Sequence, residues 1–410
     1  MSLDEFLSRE PDSIAHLQEV LLDIDQVQYA SIIRTLVADA AIRVMSTNRL
    51  VTLEITGASS WSGILPGSIP FPHSLKHLYL RNTDVSFFRT IVESAKDTSI
   101  TTLHAYFLDR HVHSGVADCL WPLHQSTNLK ELRLEGHFDG FHPSSSSILP
   151  AVSTLFFGFT RRPSTGELVH MFPALKHLHF IPRLWYQPES EVRFEEYKEI
   201  NRLDQRRSIW PRLETLSGLH LSLSITSVFS PISHLILEVI DLPSVSVAWS
   251  IMNKYRPFKV TFVACPRFLH NLVYQDDLVH ETFDTANLDF LRGMAFALDD
   301  PYILFLDREL TQRTVLVVRL AKVPYFEIAY TRSKRLRGVA PPDNASDRAL
   351  AEVAQQLAAL CPSVQLLGLD TLNRGMTFWQ VINRDYDYAT VALMRPLDGE
   401  SFRNSLIGTA

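Results

Sequence analysis

The sequence predicts an α/β solenoid, and three observations predict it. A phrase of the form LxxLxL recurs along the chain, its spacing is nearly constant, and the letters between its apolar positions change from copy to copy. The copies read LVTLEI at 50–55, LKHLYL at 75–80, ITTLHA at 100–105, LKELRL at 129–134, VSTLFF at 152–157 and LKHLHF at 175–180. Their starts are 25, 25, 29, 23 and 23 residues apart, within the 20–29 range of leucine-rich repeats. LETLSG at 213–218, ISHLIL at 232–237 and VQLLGL at 364–369 continue the series more loosely. The expected fold is therefore a leucine-rich-repeat-like solenoid (horseshoe) with irregular repeats and capping ends. No single unit of this kind can bury its own apolar face, so stacked neighbours must supply the other wall.

The elements follow in chain order. Residues 1–48 read as an N-terminal cap or a degenerate first repeat, and 49–181 as the regular units. In each phrase the last two apolar letters alternate about one outward position, as in a short strand packed on one face. Between phrases, VSFFRTIVESAKD at 85–97 and TGELVHMFP at 165–173 read as helical returns, the second with Thr165 as its cap. Pro173, Pro211, Pro231 and Pro362 stand just before phrases, where proline ends the preceding element. Residues 182–211 form a charged insertion whose middle, SEVRFEEYKEINRLDQRR, predicts a partly amphipathic helix with Val192, Tyr197, Ile200 and Leu203 on its apolar side.

Residues 212–375 read as irregular leucine-rich-repeat-like units, and the stretch 240–340 as degenerate repeats with longer returns or, alternatively, a small separate α/β unit. FKVTFVAC at 258–265, YILFLD at 302–307, TVLVVRL at 314–320 and YFEIAY at 325–330 read as strands, and LDFLRGMAFAL at 288–298 as a helix. ASDRALAEVAQQLAALCP at 345–362 is the clearest helix, with Ser346 as N-cap and Pro362 as stop, after a loop at 340–344. Residues 376–410 are a C-terminal cap and tail, with Phe378, Trp379 and Val381 covering the last core layer. HVHSG at 111–115 and SSSS at 144–147 read as loops, and Asp299-Asp300 as a solvated turn.

Composition narrows the function. Of 410 residues, 46% are hydrophobic and 20% charged, and 45 acids against 39 bases give a net charge of -6. Nothing resembles the concentrated cationic face that a nucleic-acid backbone needs. No run reaches the ~18 apolar residues of a membrane span, and the acidic opening MSLDEFLSREPDS is unlike a secretory signal. A cytoplasmic or nuclear location is expected. Cys119, Cys265 and Cys361 are scattered, as buried free thiols would be, so neither zinc nor a disulfide framework is expected. No phosphate-binding glycine loop and no nucleophile elbow is present. The expectation is a monomer without cofactor, metal or catalytic site, and an enzyme is the outlying alternative.

If the leucines point inward, the letters beside them point outward and form an exposed ladder on the expected concave sheet face. Its rows carry Thr52, Glu54 and Thr56, then His77, Tyr79 and Arg81, then Thr102, His104 and Tyr106, then Glu131, Arg133 and Glu135. Thr154, Phe156 and Gly158 follow, then His177, His179 and Ile181, with His234, Ile236 and Glu238 further along. Structural letters repeat while face letters vary, the pattern of a partner-specific surface. Tyr79, Tyr106 and Phe156 are the candidate apolar anchors, since aromatics dominate protein interfaces. Arg81, Glu131 and Arg133 are the candidate orienting charges, and His177 and His179 complete the candidate protein-binding set. The ladder histidines lie several strands apart, too far for one tetrahedral metal site.

The irregular phrases, the late VQLLGL and the aromatic-rich 376–395 resemble fungal F-box/leucine-rich-repeat-type proteins, especially the diverged families abundant in mushroom-forming fungi. That resemblance implies a substrate receptor of a cullin-type ubiquitin ligase, in which an F-box binds a Skp1-like adaptor while the repeats hold a target. Residues 1–48 depart from it, carrying neither an LPxE opening nor a tryptophan. No adaptor-binding residue is therefore carried over, and a non-catalytic protein-binding scaffold is the first expectation.

Overall fold

Each of the six regular phrases becomes a strand that starts at its third letter. In the computed structural model the described residues are 18–23, 41–45, 47–57, 69–108, 112–113, 115–124, 126–138, 148–158, 164–181, 191–239, 243–264, 288–298, 318, 322–330, 347–371, 375–385 and 388–408. The chain is mixed α/β and divides into two compact units, one of 1–211 with 225–229 and one of 212–224 with 230–410.

The strands of the first unit are β1 (Glu19–Asp23), β2 (Thr52–Thr56), β3 (His77–Thr83), β4 (Thr102–Phe107), β5 (Val112–His113), β6 (Glu131–Glu135), β7 (His137–Phe138), β8 (Thr154–Phe157) and β9 (His177–Phe180). All but β5 and β7 pair in parallel in the order β1-β2-β3-β4-β6-β8-β9. Within HVHSG, Val112 and His113 pair with His137 and Phe138, so that stretch holds a short strand instead of only a loop.

One hydrogen-bond device sets the register. The carbonyl at the second phrase position accepts two successive N–H groups of the next phrase. Val51 accepts from Lys76 and His77 at 2.9 and 3.0 Å, and Lys76 from Thr101 and Thr102 at 2.8 and 3.0 Å. Thr101, Lys130 and Ser153 do the same for the phrases that follow, and Gln18 does it for Val51 and Thr52. With register held there, the first, fourth and sixth letters of every phrase fall on one face. They form the core: Leu50, Leu53 and Ile55, then Leu75, Leu78 and Leu80, and so on through Leu175, Leu178 and Phe180, all buried.

The returns close the other wall. Helix Val85–Ala95 begins at Asp84, whose carboxylate accepts the Phe87 N–H at 2.8 Å, and buries Phe87, Phe88, Ile91, Val92 and Ala95. Phe88, Phe107, Phe138 and Phe157 then run edge-to-face and stacked, with centroids 5.3–5.6 Å apart. Helix Thr165–Met171 is capped by Ser164, not by the expected Thr165. Thr165 is the first helical residue; it is fully buried, and its hydroxyl donates to the Thr226 carbonyl at 2.6 Å.

The insertion forms the expected helix, Glu191–Arg207, with the opposite face inward. Ile200 and Leu203 are 52% and 45% exposed, whereas Asn201 and Gln205 are buried. The physical reason is hydrogen bonding. Asn201 accepts from the Thr165 N–H and donates to the Ile225 carbonyl, and Gln205 accepts from the Phe229 N–H. Tyr197 is half-buried, and the side chain of Val192 lies outside the described residues. Trp210, at the end of the insertion, is buried and donates to the Phe172 carbonyl at 2.8 Å.

The second unit contains β10 (Leu213–Leu219), β11 (Ile232–Val239), β12 (Lys259–Ala264), β13 (Gly293–Leu298), β14 (Tyr325–Tyr330) and β15 (Leu366–Thr371), followed by β16 (Gly375–Asp385) and β17 (Tyr388–Met394). From β10 to β15 the pairing is parallel, and β16 and β17 are antiparallel. The expected helix at 288–298 is overturned, because β13 pairs in register with β12 and β14. Gly293, Met294, Ala295 and Phe296 are all buried. A strand covered on both faces reads as a continuous apolar run, which periodicity cannot tell from a helix.

The expected strands 302–307 and 314–320 fall outside the described residues, Val318 apart. So do the loops 144–147 and 340–344, Asp299-Asp300, Ser346 and Cys265. Helix Asp347–Leu360 forms as expected and leads into β15. Beyond it the hairpin splits its aromatics: Trp379 pairs with Leu367 on the core face and Phe378 with Gly368 on the other. Phe378 therefore does not cover the core layer as expected, and Val381 is only half-buried. The guanidinium of Arg384 donates to the Cys361 and Val364 carbonyls and ties the hairpin to the end of the preceding helix. Cys119 and Cys361 are buried and neither is in a disulfide. Among the described residues no helix is long and apolar enough to cross a membrane.

Candidate functional site

The phrase letters that do not enter the core of the first unit stand side by side on its other face. One row runs Leu21, Glu54, Tyr79, His104, Arg133, Phe156 and His179, each the register partner of the next. The row on one side holds Glu19, Thr52, His77, Thr102, Glu131, Thr154 and His177, and the row on the other holds Asp23, Thr56, Arg81, Tyr106 and Glu135. All eight candidate residues, Tyr79, Arg81, Tyr106, Glu131, Arg133, Phe156, His177 and His179, are on this face and half-buried.

Arginine–aromatic contacts organise the centre. Arg81 and Arg133 flank the Tyr106 ring at 5.3 and 5.5 Å, and Arg133 also stands 5.0 Å from the centre of Phe156. Phe156 stacks on His179 at 4.4 Å, and Tyr79 meets His104 edge-on at 4.9 Å. Each guanidinium has a carboxylate, Arg81 with Glu54 and Arg133 with Glu135. His104 Nε2 lies 2.7 Å from Glu131. Sequence reasoning missed that Glu54, His104 and Glu135 are the polar partners of the candidate residues Arg81, Glu131 and Arg133. The signal for it was opposite charge in adjacent rows.

The electrostatics follow from half-burial. Desolvation raises the Tyr106 and Tyr79 hydroxyl pKa values, with Glu131, Glu54 and Glu19 adding to the effect at Tyr79. The His104 hydrogen bond holds the Glu131 carboxyl below its ordinary range. Burial, with His177 and Arg133 nearby, pushes the His179 pKa down to about 4, so its ring is a neutral stacking surface at pH 7. Carboxylates Glu19, Asp23, Glu54, Glu131 and Glu135 outnumber guanidiniums Arg81 and Arg133, which gives the face an acidic balance. Among the described residues no three His, Cys, Asp or Glu side chains are grouped to hold a metal ion. What the face presents is a set of rings and charges held against one another.

No family model matches the chain, and no curated protein matches it.

Proposed function

We propose that this chain is a non-catalytic, leucine-rich-repeat-like solenoid protein that binds a protein partner through the ladder face of its first unit. The observation that carries the reading is the Arg81–Tyr106–Arg133–Phe156–His179 series, rings and guanidiniums held in fixed register at half exposure. Aromatic and arginine side chains lose little freedom when pre-ordered in this way, so contacts made to them contribute most to affinity. The acidic balance favours a partner segment bearing lysine or arginine.

The test is affinity capture from native extract with the whole chain and with a Tyr79→Ala/Arg133→Glu/Phe156→Ala variant, read by mass spectrometry. A partner lost only from the variant supports the reading. Recovery of a Skp1-like adaptor and a cullin with both forms would make the chain a ubiquitin-ligase substrate receptor. Identical captures from both forms would remove the ladder face from consideration.

A further inference from the structure

The third and fifth phrase letters are half-exposed in the first unit, as are His234 and Ile236 of β11, but their register counterparts in β13, β14 and β15 (Gly293 and Ala295, Tyr325 and Glu327, Leu366 and Gly368) are buried. Over Gly293, Tyr325 and Leu366 the helix Pro396–Ile407 does the covering. Its inward side is Gly399, Phe402, Arg403, Leu406 and Ile407, spaced i, i+3, i+4, i+7 and i+8 as one helix face. Beneath it Tyr325, Leu366 and Phe378 form a buried cluster with Ile407, and Phe402 and Leu406 pack against that cluster. The floor is shallow because its letters are small. A Cβ at Gly368 would come within 2.8 Å of the Tyr325 hydroxyl, and one at Gly293 would meet the Tyr325 ring at 3.1 Å. The helix in turn has no room for a side chain at Gly399, where a Cβ would lie 2.4 Å from Phe378.

The floor is also charged. Glu327 accepts from Lys259 at 2.7 Å and from the Tyr325 hydroxyl at 2.5 Å. Burial pushes the Glu327 carboxyl up, but Lys259, Tyr325 and Arg403 outweigh it and hold the carboxyl below its ordinary range. Arg403 stands 5.8 Å from the centre of the Phe378 ring. Uncovering this cluster returns an ion pair and a phenol to water, and their hydration offsets part of the cost of wetting the apolar rings beside them. The helix itself has no side-chain cap at its N-terminus, and Leu397 is 79% exposed. A helix end without a side-chain cap is where opening begins.

We propose that this floor is a docking site for an α-helix, that Pro396–Ile407 is its resident occupant, and that a partner helix of the same pattern takes its place. The pattern is specific. It needs a glycine opposite Phe378, an aromatic residue three positions on, an arginine four positions on, and aliphatic residues seven and eight positions on. This surface lies in the second unit and does not depend on the reading of the first.

Hydrogen exchange of the intact wild-type chain tests the opening. Segment 396–407 is expected to exchange at least tenfold faster than 293–298 and 325–330, and equal protection would overturn the proposal. Docking is tested with a fluorescent peptide of residues 395–408 added to the full-length Gly399→Val chain, whose own helix cannot seat. The expected result is binding at least tenfold tighter than to wild type, abolished by a second change, Gly368→Ala, in the floor. No gain in binding, or binding indifferent to Gly368→Ala, overturns it. If Gly399→Val prevents folding, Arg403→Glu serves in the same measurement with the same outcomes. Tyr79→Ala is expected to leave this binding unchanged; its loss in that variant would place the peptide on the first unit and also overturn the proposal.

Discussion

Asn201 accepts the backbone N–H of Thr165 at 2.8 Å, although the two residues are 36 positions apart. The same side chain donates to the Ile225 carbonyl at 3.1 Å, so one buried amide joins three segments of the first unit. Replacing it by alanine leaves a buried N–H and a buried carbonyl without partners, which is expected to cost about 2–4 kcal/mol in denaturant unfolding. Leu203→Ser on the opposite side of the same helix should change stability by less than ~0.5 kcal/mol. A larger loss from Leu203→Ser than from Asn201→Ala would show that the helix packs by its apolar side.

The position of Arg133 between Tyr106 and Phe156 makes a second prediction. A double-mutant cycle of Arg133→Met with Tyr106→Leu should return a coupling of about 0.5–1 kcal/mol, the range for a partly exposed cation over a ring. Additive single changes would mean that the two groups are neighbours without interaction.

Two groups with displaced pKa values impose opposite pH slopes. His179 is pushed down to about 4, so between pH 6.5 and 4 the unfolded chain takes up a proton that the folded chain refuses. Its contribution is complete above 6.5 and is lost as pH falls towards 4. Glu238 is pushed up to about 7 by burial; its contribution is complete below about 4.5 and is lost as pH rises through 7. Each is worth on the order of 3 kcal/mol. His179→Phe should remove the acid-side loss, and Glu238→Gln should raise stability at pH 8. Unfolding curves whose pH dependence matches wild type in both variants would refute the assignment.

At the start of helix Val85–Ala95, Asp84 accepts from both the Phe87 N–H and the Ser86 hydroxyl. Asp84→Ala should lower stability by about 1 kcal/mol, and Asp84→Ser by much less. Equal losses would assign the effect to something other than the cap.

The parallel strands of the first unit were legible because one letter pattern controlled both burial and register. LKHLYL gives its third and fifth letters to the ladder and its leucines to the core, and six copies leave little freedom. All eight candidate side chains fell on one face for the same reason. Legibility failed where tertiary contacts reversed a local preference. Residues 191–207 bury Asn201 and Gln205 because backbone groups of neighbouring segments need partners, which no periodicity records. Residues 293–298 lost their alternation because both faces of the strand are buried, with Ile407 of the Pro396–Ile407 helix over Gly293, and that helix has too mixed an inner side to signal its destination. Thr165 lost the cap to Ser164 by one position, within the usual uncertainty of a helix boundary.

The reversal of chain direction at β16 also bears on how such an array can grow. Between β1 and β9, and between β10 and β15, the strands of the main ladder pair with parallel neighbours. A duplicated segment of one repeat length, inserted after any of the inner strands, would meet two edges that accept it in the orientation it already has. Past residue 375 the same segment would face strands of alternating direction and would find no such reception. The hairpin therefore acts as a stop for duplication as well as for the sheet, and length variation among descendants of this gene should accumulate upstream of it.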